Sequence, residues 1–195
     1  MSPFRLVYLA LLTALSLSLF VLEGMFPLPF LAPGAKLGLA NIVTVFALYT
    51  LSAPDVLLVL CLRIGLASFF GGGPTVFLYS LAGGLLSLVA MLGLSRVVIG
   101  HGHPDEPLRM CTSTKAKQPL FSLPAVSAAG GFFHHLGQLF AAIAMTGTPS
   151  LLSYLAILGP IGLATGFATG CVVVGVRKRL RGAAASILSQ ARQLK

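Results

Sequence analysis

The stretch Arg5-Leu6-Val7-Tyr8-Leu9-Ala10-Leu11-Leu12-Thr13-Ala14-Leu15-Ser16-Leu17-Ser18-Leu19-Phe20-Val21-Leu22 decides how this chain is read. One cation is followed by a long run with no charge, which is the length and the border expected of a helix crossing a bilayer. The pattern then repeats. Apolar runs follow one another to Val176, and basic residues fall between or beyond them. Hydrophobic patterning places spans at residues 6–22, 37–51, 56–70, 76–98, 121–145 and 151–176. The second and third are short, and short or interrupted spans often line a cavity.

Composition agrees. Hydrophobic residues make up 56% of the chain, charged residues only 9%, and the mean hydropathy is +0.96. A soluble domain of 195 residues would need far more polar surface. Six spans of about 20 residues, each rising about 1.5 Å per residue, use most of the chain. The expectation is one all-α integral membrane domain over residues 1–195, with six transmembrane helices and no separate soluble domain.

Charge placement sets the orientation. With a cytoplasmic N-terminus, the inner side collects Arg5, Arg96, Arg109, Lys115, Lys117, Arg177, Lys178, Arg179, Arg181, Arg192 and Lys195. Lys36 falls outside and Arg63 lies within the third span. The positive-inside rule then favours both termini in the cytoplasm. Residues 24–36 form an outer loop, 100–118 a cytoplasmic loop and 177–195 a basic cytoplasmic tail. The formal charge of +9 does not point to nucleic acid, because the cations sit at membrane borders without an aromatic-interleaved basic surface. The first span is expected to be retained, since Glu23-Gly24-Met25-Phe26-Pro27 follows it instead of a small-x-small cleavage site. Cys61, Cys111 and Cys171 are widely spaced and odd in number, which suggests neither a disulfide framework nor a zinc box.

Two loops differ in character. Residues 24–36 carry Pro27, Pro29 and Pro33 among Met25, Phe26, Leu28, Phe30 and Leu31, a stiff nonhelical segment too apolar to lie freely in water. It is expected to fold back over the membrane domain. Residues 100–118 are polar and include His101, His103, Asp105, Glu106, Arg109 and Cys111. They read as a connector, because these side chains lack a recognised metal-ligand spacing.

Polar side chains inside spans are costly and usually face a cavity or a partner. Arg63 has two readings: a bidentate anchor for an anionic ligand, or one half of an ion pair with Glu23. His134, His135 and Gln138 in the fifth span are spaced to approach one helical face, where they either bond neighbouring helices or touch a ligand. Asn41 and Tyr79 are further polar positions. Small residues recur every fourth position at Ala10 and Ala14, and at Gly162, Gly166 and Gly170. Such rows let helix backbones approach closely. The glycine row reads as internal packing, and the alanine pair fits either an internal contact or a partner protein.

Absences exclude several enzyme classes. Glu23, Asp55, Asp105 and Glu106 are the only acids, too few for the paired clusters that hold magnesium and diphosphate in prenyl transfer. There is no phosphate-binding Gly-Lys-Ser/Thr loop and no nucleophile elbow beside the histidines. The chain is therefore expected to be no enzyme and to bind no metal or cofactor directly.

Four segments carry a resemblance: Lys36-Leu37-Gly38-Leu39-Ala40-Asn41-Ile42-Val43-Thr44, Leu62-Arg63-Ile64-Gly65, Phe77-Leu78-Tyr79-Ser80-Leu81-Ala82-Gly83-Gly84 and His134-His135-Leu136-Gly137-Gln138. Together they resemble the Gx transporter family, often labelled heptaprenyl diphosphate synthase component I, with His135 standing where that pattern has Asn. The family looks related to the six-helix S components of energy-coupling factor transporters. The resemblance implies a substrate pocket near the outer surface, covered by the first loop. It also implies docking of an Ala-x-x-x-Ala face, matched by Ala10 and Ala14, onto a transmembrane coupling subunit. Arg63, Lys36 and His134 would then favour an anionic or strongly polar ligand group, Asn41, Tyr79 and Gln138 would orient it, and Glu23 would pair with a nearby base. Partner ATPases would consume the ATP, and the location would be the bacterial cell membrane. Two alternatives stand beside this reading: an accessory membrane subunit in isoprenoid or quinone synthesis, and an autonomous small-molecule permease.

Overall fold

The computed structural model describes residues 3–25, 38–99 and 122–193. Six α-helices follow in order: α1 Pro3–Met25, α2 Asn41–Leu48, α3 Ala53–Ala67, α4 Gly73–Ile99, α5 Ser122–Thr146 and α6 Leu155–Gln193. A π-helical segment, Ser68–Gly72, joins α3 to α4, and a 3-10 segment, Pro149–Tyr154, leads into α6. The described residues contain no strand. Most of the outer loop, Lys36 and the loop 100–118 lie outside the described residues. The basic segment after Val176 continues α6 as far as Gln193.

Among the described residues, four helical stretches are long and apolar enough to cross a bilayer: Pro3–Met25, Ala53–Phe70, Gly73–Ser95 and Pro149–Leu180. The other two expected spans differ for separate reasons. α2 has eight residues, about 12 Å of helix, too short to cross alone. Its start is set by Gly38, whose φ of 82° lies in the left-handed region that glycine adopts without a Cβ penalty. α5 has 25 residues, long enough, but Gly130, Gly131, His134, His135, Gly137 and Gln138 interrupt its apolar character.

Local chemistry explains the start of α3. Pro54 occupies its first turn, where a missing N–H is harmless, and Asp55 places negative charge at the helix N-terminus. The Ser52 hydroxyl donates to Asp55 Oδ2 at 2.7 Å, and Arg5 Nη2 of α1 donates to Asp55 Oδ1 at 2.5 Å. Nearby, the Arg177 guanidinium of α6 lies 5.6 Å from the centre of the Tyr49 ring, just after α2. Arg5 and Arg177 thus mark one end of the bundle.

Packing organises the helices around α5, which lies between α4 and α6. One apolar cluster joins α1, α2, α3 and α4 through residues including Leu9, Leu12, Val43, Val59, Leu60 and Leu88. A second joins α2, α4, α5 and α6 through Val45, Met91, Leu123, Val126 and Val173. The glycine row of α6 lies directly on α5. A Cβ at Gly162 would stand 2.7 Å from the Gly131 carbonyl oxygen, and one at Gly170 would stand 2.5 Å from Pro124 Cα. Gly166 meets the Ser127 carbonyl and Ala128. On the other side of α5, a Cβ at Gly137 would stand 2.6 Å from the Ala82 carbonyl oxygen of α4. These approaches bring backbones together without side chains between them, which is how helices associate when lipid removes the hydrophobic incentive.

The outward faces are apolar. Leu6, Val7, Leu11, Leu15, Val21, Val89 and Val172 are all exposed, as are Phe69 and Phe70 on the π-helical segment. In water such a surface would be an aggregation hazard, whereas in lipid it is the ordinary solvent-facing surface.

Candidate ligand pocket

Polar groups from five helices converge at the end of the bundle opposite Arg5. The cavity there is lined by Phe20 and Glu23 of α1, Gly38, Ala40 and Asn41 at the start of α2, and Arg63, Ile64 and Ala67 of α3. Ser80 of α4 and His134 and Gln138 of α5 complete it. The space reachable by the centre of a water molecule is about 30 Å³, room for about two waters.

The short second helix shapes this site. Gly38 and Leu39 present backbone N–H groups just before α2 begins, and the Glu23 carboxylate accepts both, at 2.5 and 3.2 Å. A buried acid from α1 therefore holds the turn before α2, while the Gly38 and Leu39 carbonyls accept the first N–H groups of the helix, from Asn41 at 2.8 Å and Ile42 at 3.0 Å. Had α2 continued through residue 37 as a regular span, these groups would have been spent on helix bonds. Their turn instead opens the wall that Asn41 helps to line.

Arg63 is only 7% exposed, and its charge is attracted by Glu23. Glu23 thus fixes the turn before α2 and also lies within the field of the guanidinium beside the cavity. A guanidinium offers five N–H donors in a planar fork, so a carboxylate or phosphate is the group it fits best.

His134 and Gln138 act together. Gln138 Nε2 lies 3.2 Å from His134 Nε2, and His134 is also hydrogen-bonded to the Gly83 backbone. An amide nitrogen only donates, so with the amide in this orientation His134 Nε2 accepts and the ring proton sits on Nδ1. His135 also interacts with Gln138 but reaches a further neighbour. Consecutive helical residues are about 100° apart, and His135 is turned toward α6, where a Cβ at Gly162 would stand 2.6 Å from its Cδ2.

The polar positions singled out from sequence thus separate into groups. Glu23, Asn41, Arg63, His134 and Gln138 share the cavity. Tyr79 is half-buried and is not part of the lining, and its neighbour Ser80 takes that place because helix phase turns one of the two inward. Lys36 lies outside the described residues. Ala10 and Ala14 are exposed on α1, away from the face that buries Leu9, Leu12, Thr13 and Ser16. Sequence reasoning missed Phe20, Ala67 and Ser80. Phe20 lies one helical turn before Glu23 and so shares its face, which was a usable signal.

A family model described as heptaprenyl diphosphate synthase component I matches residues 12–102 and 107–176. The chain belongs to that family. No curated protein and no solved structure matches it. The match to the heptaprenyl diphosphate synthase component I family includes every residue that lines the cavity, from Phe20 to Gln138. Ala10 and the basic end of α6 lie beyond it.

Proposed function

We propose that this chain is the membrane-embedded substrate-binding component of an energy-coupled small-molecule uptake system. The observation that carries the reading is the convergence of Glu23, Asn41, Arg63, His134 and Gln138 on one cavity. Ionisable groups inside a membrane domain are expensive, and their collection at one concave site is the usual mark of a substrate path. In this account Arg63 receives an anionic group, Asn41, His134 and Gln138 orient the ligand, and Lys36 with the rest of the 24–36 loop covers it.

The account includes a topology and partners. Six segments cross or enter the bacterial cell membrane, with both termini cytoplasmic and the pocket near the outer surface. α2 contributes an incomplete crossing, which is in keeping with the interrupted helices that line transporter sites. The exposed Ala10 and Ala14 face would seat a transmembrane coupling subunit, and ATPases attached to that subunit would supply energy.

Purification of the tagged chain from its native membrane tests this. A membrane subunit and a pair of ATPases should copurify in fixed proportion, and uptake should require them. Uptake by the purified chain alone in vesicles would favour an autonomous permease. The family's description favours a second reading, an accessory membrane subunit in heptaprenyl diphosphate synthesis. That reading requires prenyl-chain synthesis by a soluble partner to depend on this chain.

A further inference from the structure

Beside the Arg63 cavity lies a smaller chamber between the start of α2, α5 and α6. It shares Gly38, Asn41 and His134 with the larger one and adds His135, Thr165 and Thr169 to its wall. Only about 10 Å³ is open to the centre of a water molecule, space for a single small group.

The wall has an unmet requirement. His135 is 2% exposed, and its Nδ1 has no hydrogen-bond partner among the described residues. A buried polar atom left in that state is costly unless something fills the space beside it. The threonines have already committed their protons: Thr165 Oγ1 donates to the Ile161 carbonyl at 2.9 Å and Thr169 Oγ1 to the Gly166 carbonyl at 2.7 Å. Ser127 therefore donates to Thr169 Oγ1, 3.0 Å away. What the threonines still offer is lone pairs.

This combination selects a chemical group. A methyl would leave His135 Nδ1 unsatisfied. An ammonium would bring a charge into a wall that contains no carboxylate. A hydroxyl donates to a threonine oxygen and accepts from or donates to Nδ1 according to the imidazole tautomer, so it satisfies the wall in either state.

We propose that this chamber is a second subsite of the pocket and takes one hydroxyl group of a ligand whose anionic end sits at Arg63. The inference rests on the small-molecule reading above and narrows its ligand to a hydroxylated anion. The larger cavity supplies the charge recognition and the smaller one distinguishes a hydroxyl from a hydrogen at one position.

The test uses the full chain in lipid nanodiscs with 15N-labelled histidine. Glycolate, β-hydroxypropionate and γ-hydroxybutyrate are titrated beside acetate, propionate and butyrate, with β-alanine and γ-aminobutyrate as ammonium-bearing controls. At least one hydroxy acid should bind about tenfold or more tighter than its alkyl counterpart, the scale of one desolvated hydrogen bond. The same acid should shift the His135 Nδ1 resonance. Thr165→Val should remove this advantage and leave the response to alkyl acids unchanged, and His135→Phe should do the same if it folds.

Equal binding of every hydroxy and alkyl pair, or silence of His135 toward all of them, would overturn the proposal and leave the chamber to water. An advantage for the amino acids would overturn the choice of hydroxyl. Arg63→Ala separates the two claims. Loss of binding to both acid series supports the anion site, whereas a hydroxyl advantage that survives this variant would retain the chamber and reject Arg63 as the anchor.

Discussion

The carboxylate of Glu23, in the last turn of α1, accepts the backbone N–H of Gly38 at 2.5 Å and so clasps the two ends of the 26–37 segment. Fifteen residues of sequence separate the partners. The contact fixes where α2 starts and brings the same acid into the field of Arg63. One side chain thus connects the shape of the pocket wall with the charge that the pocket presents.

Glu23→Ala should therefore cost more than a surface acid would. Removing a charged acceptor from two half-buried donors is worth about 1–3 kcal/mol. Thermal unfolding in nanodiscs should show a lower midpoint, and hydrogen exchange at Gly38 and Leu39 should quicken. Glu23→Gln should lose less, because its amide oxygen still accepts. Unchanged exchange at both amides in Glu23→Ala would mean that the turn is held by something else.

The α5–α6 contact makes a second prediction. Gly162→Ala places a Cβ 2.7 Å from a backbone oxygen, which cannot move aside as a side-chain tip can. Overpacking of this kind costs about 1–3 kcal/mol. Gly175→Ala is the control on the same helix, since its Cβ would meet nothing within 4 Å. Equal stability of the two variants would argue against the close approach of α5 and α6.

Much of the helical layout was legible because lipid enforces it. The runs at 6–22, 56–70, 76–98 and 151–176 each fall within or closely overlap a stretch that can cross a bilayer. The second span already read as short, but the start of α2 at Asn41 was not legible, because it depends on an acid in α1. Arg63, Glu23, Asn41, His134 and Gln138 were visible as polar residues in apolar surroundings, where such residues are rarely accidental. Tyr79 and Ser80 show the limit of that argument. Which of two adjacent polar residues faces inward depends on helix phase, and that phase is set by packing against the neighbouring helices, which spacing alone does not show. His135 shares a chamber wall with His134 and also faces α6, a contact that spacing alone did not show.

Topology is open to a direct check. After removal of Cys61, Cys111 and Cys171, a cysteine introduced by Gly34→Cys should react with an impermeant thiol reagent from outside the cell, and one introduced by Ala116→Cys should not. The basis is the proposed six-span topology, which puts eleven of the thirteen basic residues on one side. Reversed labelling would invert the proposed orientation.

The exposed alanines of α1 separate capture from coupling. Ala10→Leu with Ala14→Leu adds bulk where a partner helix would approach, so assembly and uptake should fail together. Affinity of the isolated chain for its ligand should change by less than about twofold, because neither residue lines the cavity. Loss of ligand binding with intact assembly would place the pair in internal packing instead.

The central claim is that Arg63 anchors an anionic small molecule inside a membrane domain. Mass spectrometry of small molecules retained by the purified chain tests it most directly, with wild type and Arg63→Ala compared at matched folding. Wild type should retain an anionic compound that Arg63→Ala loses by more than about tenfold, with Arg63→Lys in between because it lacks the planar fork. Retention of the same compound to the same extent by a folded Arg63→Ala would contradict the account.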